Sequence, residues 1–121
     1  MSIEYSQDAN QSLIVVVGRE QVTLGERFAF VDQLINDPLL PARATILIDA
    51  SQVASCPLPH EVSWIRQLLD KLRARFQDKI AIVDPDPSRV MVAQLIAYPA
   101  PGDQQVVKLF LTEADARDWL K

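Results

Sequence analysis

The sequence predicts an α/β fold. It reads as one domain, an α/β sandwich in which a five-stranded mixed sheet, an opening antiparallel pair followed by parallel strands, combines with four helices in the order ββαβαβαβα. Three observations lead there. Short apolar runs bounded by turn residues alternate with longer runs whose apolar residues recur at helical spacing. Two of the short runs, ATILID (44 to 49) and KIAIVD (79 to 84), are apolar at almost every position, as in a strand covered on both faces. The length, 121 residues, suits a single core, and a domain of that size buries roughly two-thirds of its unfolded surface.

Taken in order, IEYS (3 to 6) and SLIVVVG (12 to 18) flank the polar stretch QDANQ and read as an antiparallel pair. TLGERFAFVDQLIND follows. Its Thr23 and Glu26 have capping-box spacing, in which each side chain satisfies the other residue's free backbone N–H. Leu24, Phe28, Val31 and Ile35 set the core stripe and Leu34 widens it. The helix should stop before Pro38, whose ring disfavours helical geometry in the residue ahead of it. Phe30 falls off that stripe and is either another contact residue or a lone off-stripe aromatic that needs no functional account.

The strand at 44–49 is expected to be central, and PHEVSWIRQLLDKLRARF (59 to 76) is the longest helix. Its stripe is Val62, Ile65, Leu68, Leu69, Leu72 and Phe76, with Pro59 in the first turn, where no N–H is needed. After the strand at 79–84, Asp86 and Pro87 open a helix through about Tyr98. VVKLFL (106 to 111) is the last strand. Thr112 caps the final helix, TEADARDWL, with Asp115 at its third helical position. Strands joined through helices are expected to run parallel, with right-handed crossovers.

Composition narrows the function classes. Hydrophobic residues are 49% and charged residues 23% of the chain, the usage of a globular domain. The net charge of −4 gives no basic footprint for nucleic acid, so none is expected as a partner. The apolar run near the N-terminus has no basic flank and is far shorter than a membrane span of about 20 residues. A cytoplasmic location is therefore expected. A lone cysteine cannot build a disulfide framework. Gly18, Gly25 and Gly102 lie in no phosphate-binding pattern, and no cofactor is expected.

ILIDASQV, a strand ending in hydrophobic-Asp-x-Ser-x-Val, and the closing FLTEADARDWL, of the form F-x-[ST]-x-x-x-A-x-x-W-L, resemble the STAS (sulfate transporter and anti-sigma factor antagonist) domains. The likeness spans about residues 12 to 120 and is nearest to the small SpoIIAA-like bacterial branch. It implies a STAS-like fold and a regulatory, protein-binding role. In signalling members of that group a serine in an Asp-Ser-Ser-Gly pattern beyond the strand is phosphorylated. That position falls here near Pro57 and Leu58, which cannot accept a phosphoryl group. Ser51 and Ser55 are the nearby candidate phosphoacceptors.

The strand-end loop also gathers Asp49, Cys56 and His60. A thiol beside an imidazole, oriented by Asp49 or Glu61, is the skeleton of nucleophilic catalysis. Against it, the loop has no glycine for close backbone access and no evident oxyanion hole, and Pro57 and Pro59 restrict its geometry. Asp49, Cys56 and His60 also lack the paired ligand spacing of zinc sites. The reading is of a structural turn, in which short hydroxyls and Asp49 hold nearby backbone groups. Neither a catalytic residue nor a metal ligand is expected.

Two surfaces remain. The run RVMVAQLIAY (89 to 98) carries Val90, Met91, Val92, Leu95 and Ile96 nearly all the way round a helix, and such a helix must be buried on more than one side, either within the monomer under the PAPGDQQ loop or against a second chain or a ligand. On the long helix, Arg66, Lys71, Arg73 and Arg75 outnumber Asp70 without forming one clamp and read as a solvated face. The function expected is that of a non-enzymatic interaction module, forming a homodimer through residues 89 to 98. The alternative is a carrier that holds an apolar or lipid-like ligand between that helix and the sheet.

Overall fold

The computed structural model describes residues 3–8, 12–53, 59–76, 78–85 and 107–120. Strands β1 (Ile3–Asp8) and β2 (Leu13–Glu20) lead into helix α1 (Leu24–Ile35). Strand β3 (Thr45–Val53) is followed by a single 3₁₀ turn (Pro59–Glu61) and helix α2 (Val62–Phe76). Strands β4 (Ile80–Val83) and β5 (Val107–Phe110) precede helix α3 (Glu113–Leu120). The five strands form one sheet in the order β1-β2-β3-β4-β5, with β1 antiparallel to β2 and every other pair parallel. The expected mixed sheet is therefore present.

The helices depart from expectation in number and order. The described residues give β-β-α-β-α-β-β-α, with three α-helices where the sequence predicts four. The expected additional helix, from Asp86 to about Tyr98, falls outside the described residues. The expected helix at 59–76 begins as a 3₁₀ turn, the tighter winding that often opens an α-helix. Three strands also run further than expected, β1 past Ser6 to Asp8, β2 past Gly18 to Glu20 and β3 past Asp49 to Val53.

Strand register explains the two-sided core. Ile14, Ile46, Ile80 and Val107 are register partners in successive strands, so their side chains form one row across the sheet. Helices α1 and α2 cover that row with Phe30, Val31, Leu34, Ile65, Leu68, Leu69, Leu72 and Phe76, all buried. Each such side chain contributes about 1.5–3 kcal/mol by leaving water. The opposite pleat face carries Leu13, Leu47, Ala81 and Val83, and α3 seals it with Ala116, backed by Trp119. Ile46 and Leu47, adjacent in sequence and fully buried, confirm β3 as a strand covered on both faces.

Caps set the helix ends. At α1 the Glu26 N–H donates to Thr23 Oγ1 at 3.1 Å and the Thr23 N–H to Glu26 Oε1 at 3.5 Å, the expected capping box. The helix stops with Asn36 as its C-cap, two residues before Pro38. At α3 the Asp115 N–H donates to Thr112 Oγ1 at 3.3 Å. Lys79 fastens the far end of that helix, donating from Nζ to the Trp119 carbonyl at 3.1 Å while lying 5.2 Å from the Trp119 ring centroid.

Candidate functional site

The carboxyl ends of β2 and β3 meet in a local irregularity. Val17 pairs with Asp49 and Arg19 with Gln52, so the single residue Gly18 on β2 faces two, Ala50 and Ser51, on β3. That is a β-bulge, which bends the bulged strand and re-aims its side chains. A Cβ on Gly18 would stand 2.8 Å from Val53 Cγ2, closer than real contacts allow, so the approach of the strands there requires glycine. Just beyond, Glu20 adopts a left-handed backbone with φ of 57°.

Asp49 holds the bulge from within. Its Oδ1 accepts the Ser51 backbone N–H at 2.9 Å and the Ser51 hydroxyl at 2.6 Å. This is the plain turn-holding role expected of both residues, although it operates inside β3 and not in a loop after it. Ser51 is solvent-exposed, and its hydroxyl is engaged by a carboxylate. A phosphoryl group on that oxygen would replace a donor with an anion beside Asp49 and so break the arrangement.

The other predicted site residues divide cleanly. His60 stands exposed in the 3₁₀ turn ahead of α2. Ser55 and Cys56 lie outside the described residues, as do Val90, Met91, Val92, Leu95 and Ile96. Among the described residues no group of three or more His, Cys, Asp or Glu side chains is placed to hold a metal ion. None of the described helices is long and apolar enough to cross a membrane.

Two surface readings are corrected by the packing. Phe30 is buried, not a surface contact, because Tyr5 of β1 closes over it edge-on with ring centroids 5.7 Å apart. Arg75 is not part of a solvated basic face. Its Nε donates to the Ile35 carbonyl at 3.1 Å, Nη1 to Pro41 at 3.0 Å and Nη2 to Leu40 at 3.2 Å, while the guanidinium rests on the Phe76 ring at 4.6 Å. Ile35 ends α1, so Arg75 satisfies one of that helix's free terminal carbonyls and ties down the connection to β3. Lys71 does remain exposed.

The sequence reading missed three apolar side chains that the fold displays: Leu39 at 85% exposure, Leu111 at 54% and Trp64 at 47%. Trp64 leans edge-on against Phe28 across the α1–α2 seam at 6.0 Å. The signal available for Trp64 was its place beside the stripe, since it immediately precedes Ile65 without sharing its face.

No model of a known protein family matches the chain, and no curated protein matches it. Among solved structures, the chain is similar to an uncharacterized protein from the DUF3478 family with a SpoIIAA-like fold, from Shewanella loihica PV-4. The two are 17% identical, the match covers 99% of this chain and 94% of that one, and the TM-score is 0.64. At that identity the likeness is one of fold, and the chain has a SpoIIAA-like fold, as its motifs led one to expect.

Proposed function

We propose that the chain is a non-enzymatic, STAS-like interaction or regulatory module that works by binding protein, including a second copy of itself. The observation that carries the reading is the SpoIIAA-like fold over nearly the whole chain. The state of Asp49 supports it. A carboxylate at the carboxyl edge of a parallel sheet stands where ligands of open α/β sheets bind. Here one of its oxygens is already occupied by the Ser51 hydroxyl and backbone N–H. Self-association is proposed for residues 89 to 98 on sequence grounds, because an apolar set that nearly encircles a helix must be covered on more than one side.

Native mass spectrometry of the protein as it comes from cells tests the reading in one spectrum. A bare dimer is the expected result. A monomer carrying mass that is released on denaturation would overturn self-association in favour of a carrier for an apolar ligand. Phosphoryl mass that survives denaturation would add a covalent switch at Ser51 or Ser55.

A further inference from the structure

One carboxylate and one guanidinium link three elements at the end of the molecule opposite the bulge. Asp37 uses both its oxygens: Oδ2 accepts the Tyr5 hydroxyl of β1 at 2.6 Å, and Oδ1 accepts the Leu39 N–H at 2.9 Å. The Leu40 N–H turns back to the Asp37 carbonyl at 3.4 Å. Arg75 of α2 then holds the carbonyls of Ile35, Leu40 and Pro41, on both sides of Asp37. The connection closes where the Ala44 N–H reaches the Phe76 carbonyl at 3.3 Å, one residue beyond Arg75.

Among the described strands β1 lies at one edge of the sheet and pairs only with β2. An edge strand has one ladder where a central strand has two, so contacts outside the ladder weigh more in its opening. For β1 such contacts include the buried Ile3 side chain in the core, the Tyr5 ring on Phe30, the Tyr5 hydroxyl on Asp37 and the exposed Arg19–Glu4 ion pair at 2.8 Å.

We propose that Tyr5, Asp37 and Arg75 form a latch, so that edge strand β1 and the 36–44 connection open and close as one unit while the rest of the sheet stays closed. Release withdraws the Tyr5 ring from Phe30 and uncovers the outer edge of β2.

The charged and titratable groups acting on Asp37 are Tyr5 from β1 and Arg75 from α2. The Tyr5 hydrogen bond first, then the Leu39 N–H, hold the Asp37 carboxyl below its ordinary value; burial opposes them, and the Arg75 charge adds a lesser lowering. A carboxyl lowered by folding stabilises the fold above its unfolded pKa, and that contribution is lost as pH falls through the folded value, at and below about 4. The hydrogen bond to Asp37, then burial, raise the Tyr5 phenol. Its contribution is complete below its unfolded value and is lost as pH rises through the folded one, above about 10. The Tyr5–Asp37 contact is therefore at full strength at neutral pH and weakens towards either extreme.

Amide hydrogen exchange on the full chain tests the coupling. Tyr5→Phe removes one hydroxyl and keeps the ring on Phe30. At neutral pH it is expected to lower protection about fivefold in β1 and equally at the Leu39, Leu40 and Ala44 amides, with Ile80–Val83 unchanged. Loss confined to β1, or equal loss in β4, overturns the proposal. In a second measurement, taking the wild type from pH 7 to pH 3 should lower protection in the same two segments relative to β4. If Tyr5→Phe shows as large a relative fall between those pH values, the latch is not the Tyr5–Asp37 contact.

Discussion

The α-carbon of Gly18 lies against the side chain of Val53, so close that a methyl group on Gly18 would stand 2.8 Å from Val53 Cγ2. Val53 is buried and β-branched, with little rotamer freedom to withdraw, and the added carbon must be met by backbone movement at the bulge. Gly18→Ala should therefore lower stability by about 1–3 kcal/mol, as overpacking does. Urea unfolding of Gly18→Ala, Val53→Ala and the double variant should show the two changes compensating by at least about 1 kcal/mol. Strict additivity would mean that the close approach does not limit the position.

Arg75 makes a second prediction, because three carbonyls depend on one planar group. Lysine keeps the charge but offers a single nitrogen, which cannot reach Ile35, Leu40 and Pro41 together. Arg75→Lys should cost about 1–3 kcal/mol, the loss expected for charge-assisted hydrogen bonds left unmade. Arg75→Met, which keeps much of the apolar packing on Phe76, should cost at least as much. Denaturant midpoints measured at one pH decide it, and a lysine variant as stable as the wild type would show the clamp to be ornamental.

These two cases show where the sequence is legible. The stripe of α2 is local, set by side chains three and four residues apart. Ile65, Leu68, Leu69, Leu72 and Phe76 are all buried as their spacing predicts. The α1 capping box and the Asp49–Ser51 turn are local too, and both are present. Phe30 was misread because the stripe through Leu24 and Phe28 turns the helix face away from it. Yet Phe30 is four residues from Leu34 and shares its side, and Tyr5, on a strand that contacts the helix only in the fold, completes its burial. The partners of Arg75 lie 34 to 40 residues away in the chain, beyond any periodicity. The bulge is a property of two strands in register, invisible in either alone.

At Ser51 the geometry separates a lost bond from a repelled charge. Ser51→Ala removes one exposed hydroxyl contact and should cost about 0.5–1 kcal/mol. Ser51→Asp removes the same bond and sets a second carboxylate beside Asp49, so it should cost more than Ser51→Ala. The difference should shrink in an Asp49→Asn background and in high salt. Thermal unfolding of the four variants checks the order. Equal costs for alanine and aspartate would show that charge at this position is not felt, and would remove the physical basis for a phosphoryl switch at Ser51.

The proposed dimer makes the sharpest functional prediction, and it rests on the run at 89 to 98. If Val92 and Ile96 lie in a contact between two copies, Val92→Asp or Ile96→Asp places an uncompensated charge in a dry interface. Burying an unpaired carboxylate costs several kcal/mol. A few kcal/mol shift a dissociation constant by a hundredfold or more, because each ~1.4 kcal/mol is a factor of ten. Light scattering at micromolar concentration should therefore give a dimer for the wild type and a monomer for either variant. The far-ultraviolet circular dichroism and urea midpoint of the variant monomer should remain those of a folded domain. A variant that loses mass and fold together would place these residues in the monomer's own core, and one that keeps its dimer would move the interface elsewhere. In the latter case the exposed Trp64 on the α1–α2 seam and Leu39 beside the Arg75 clamp would be the next side chains to replace.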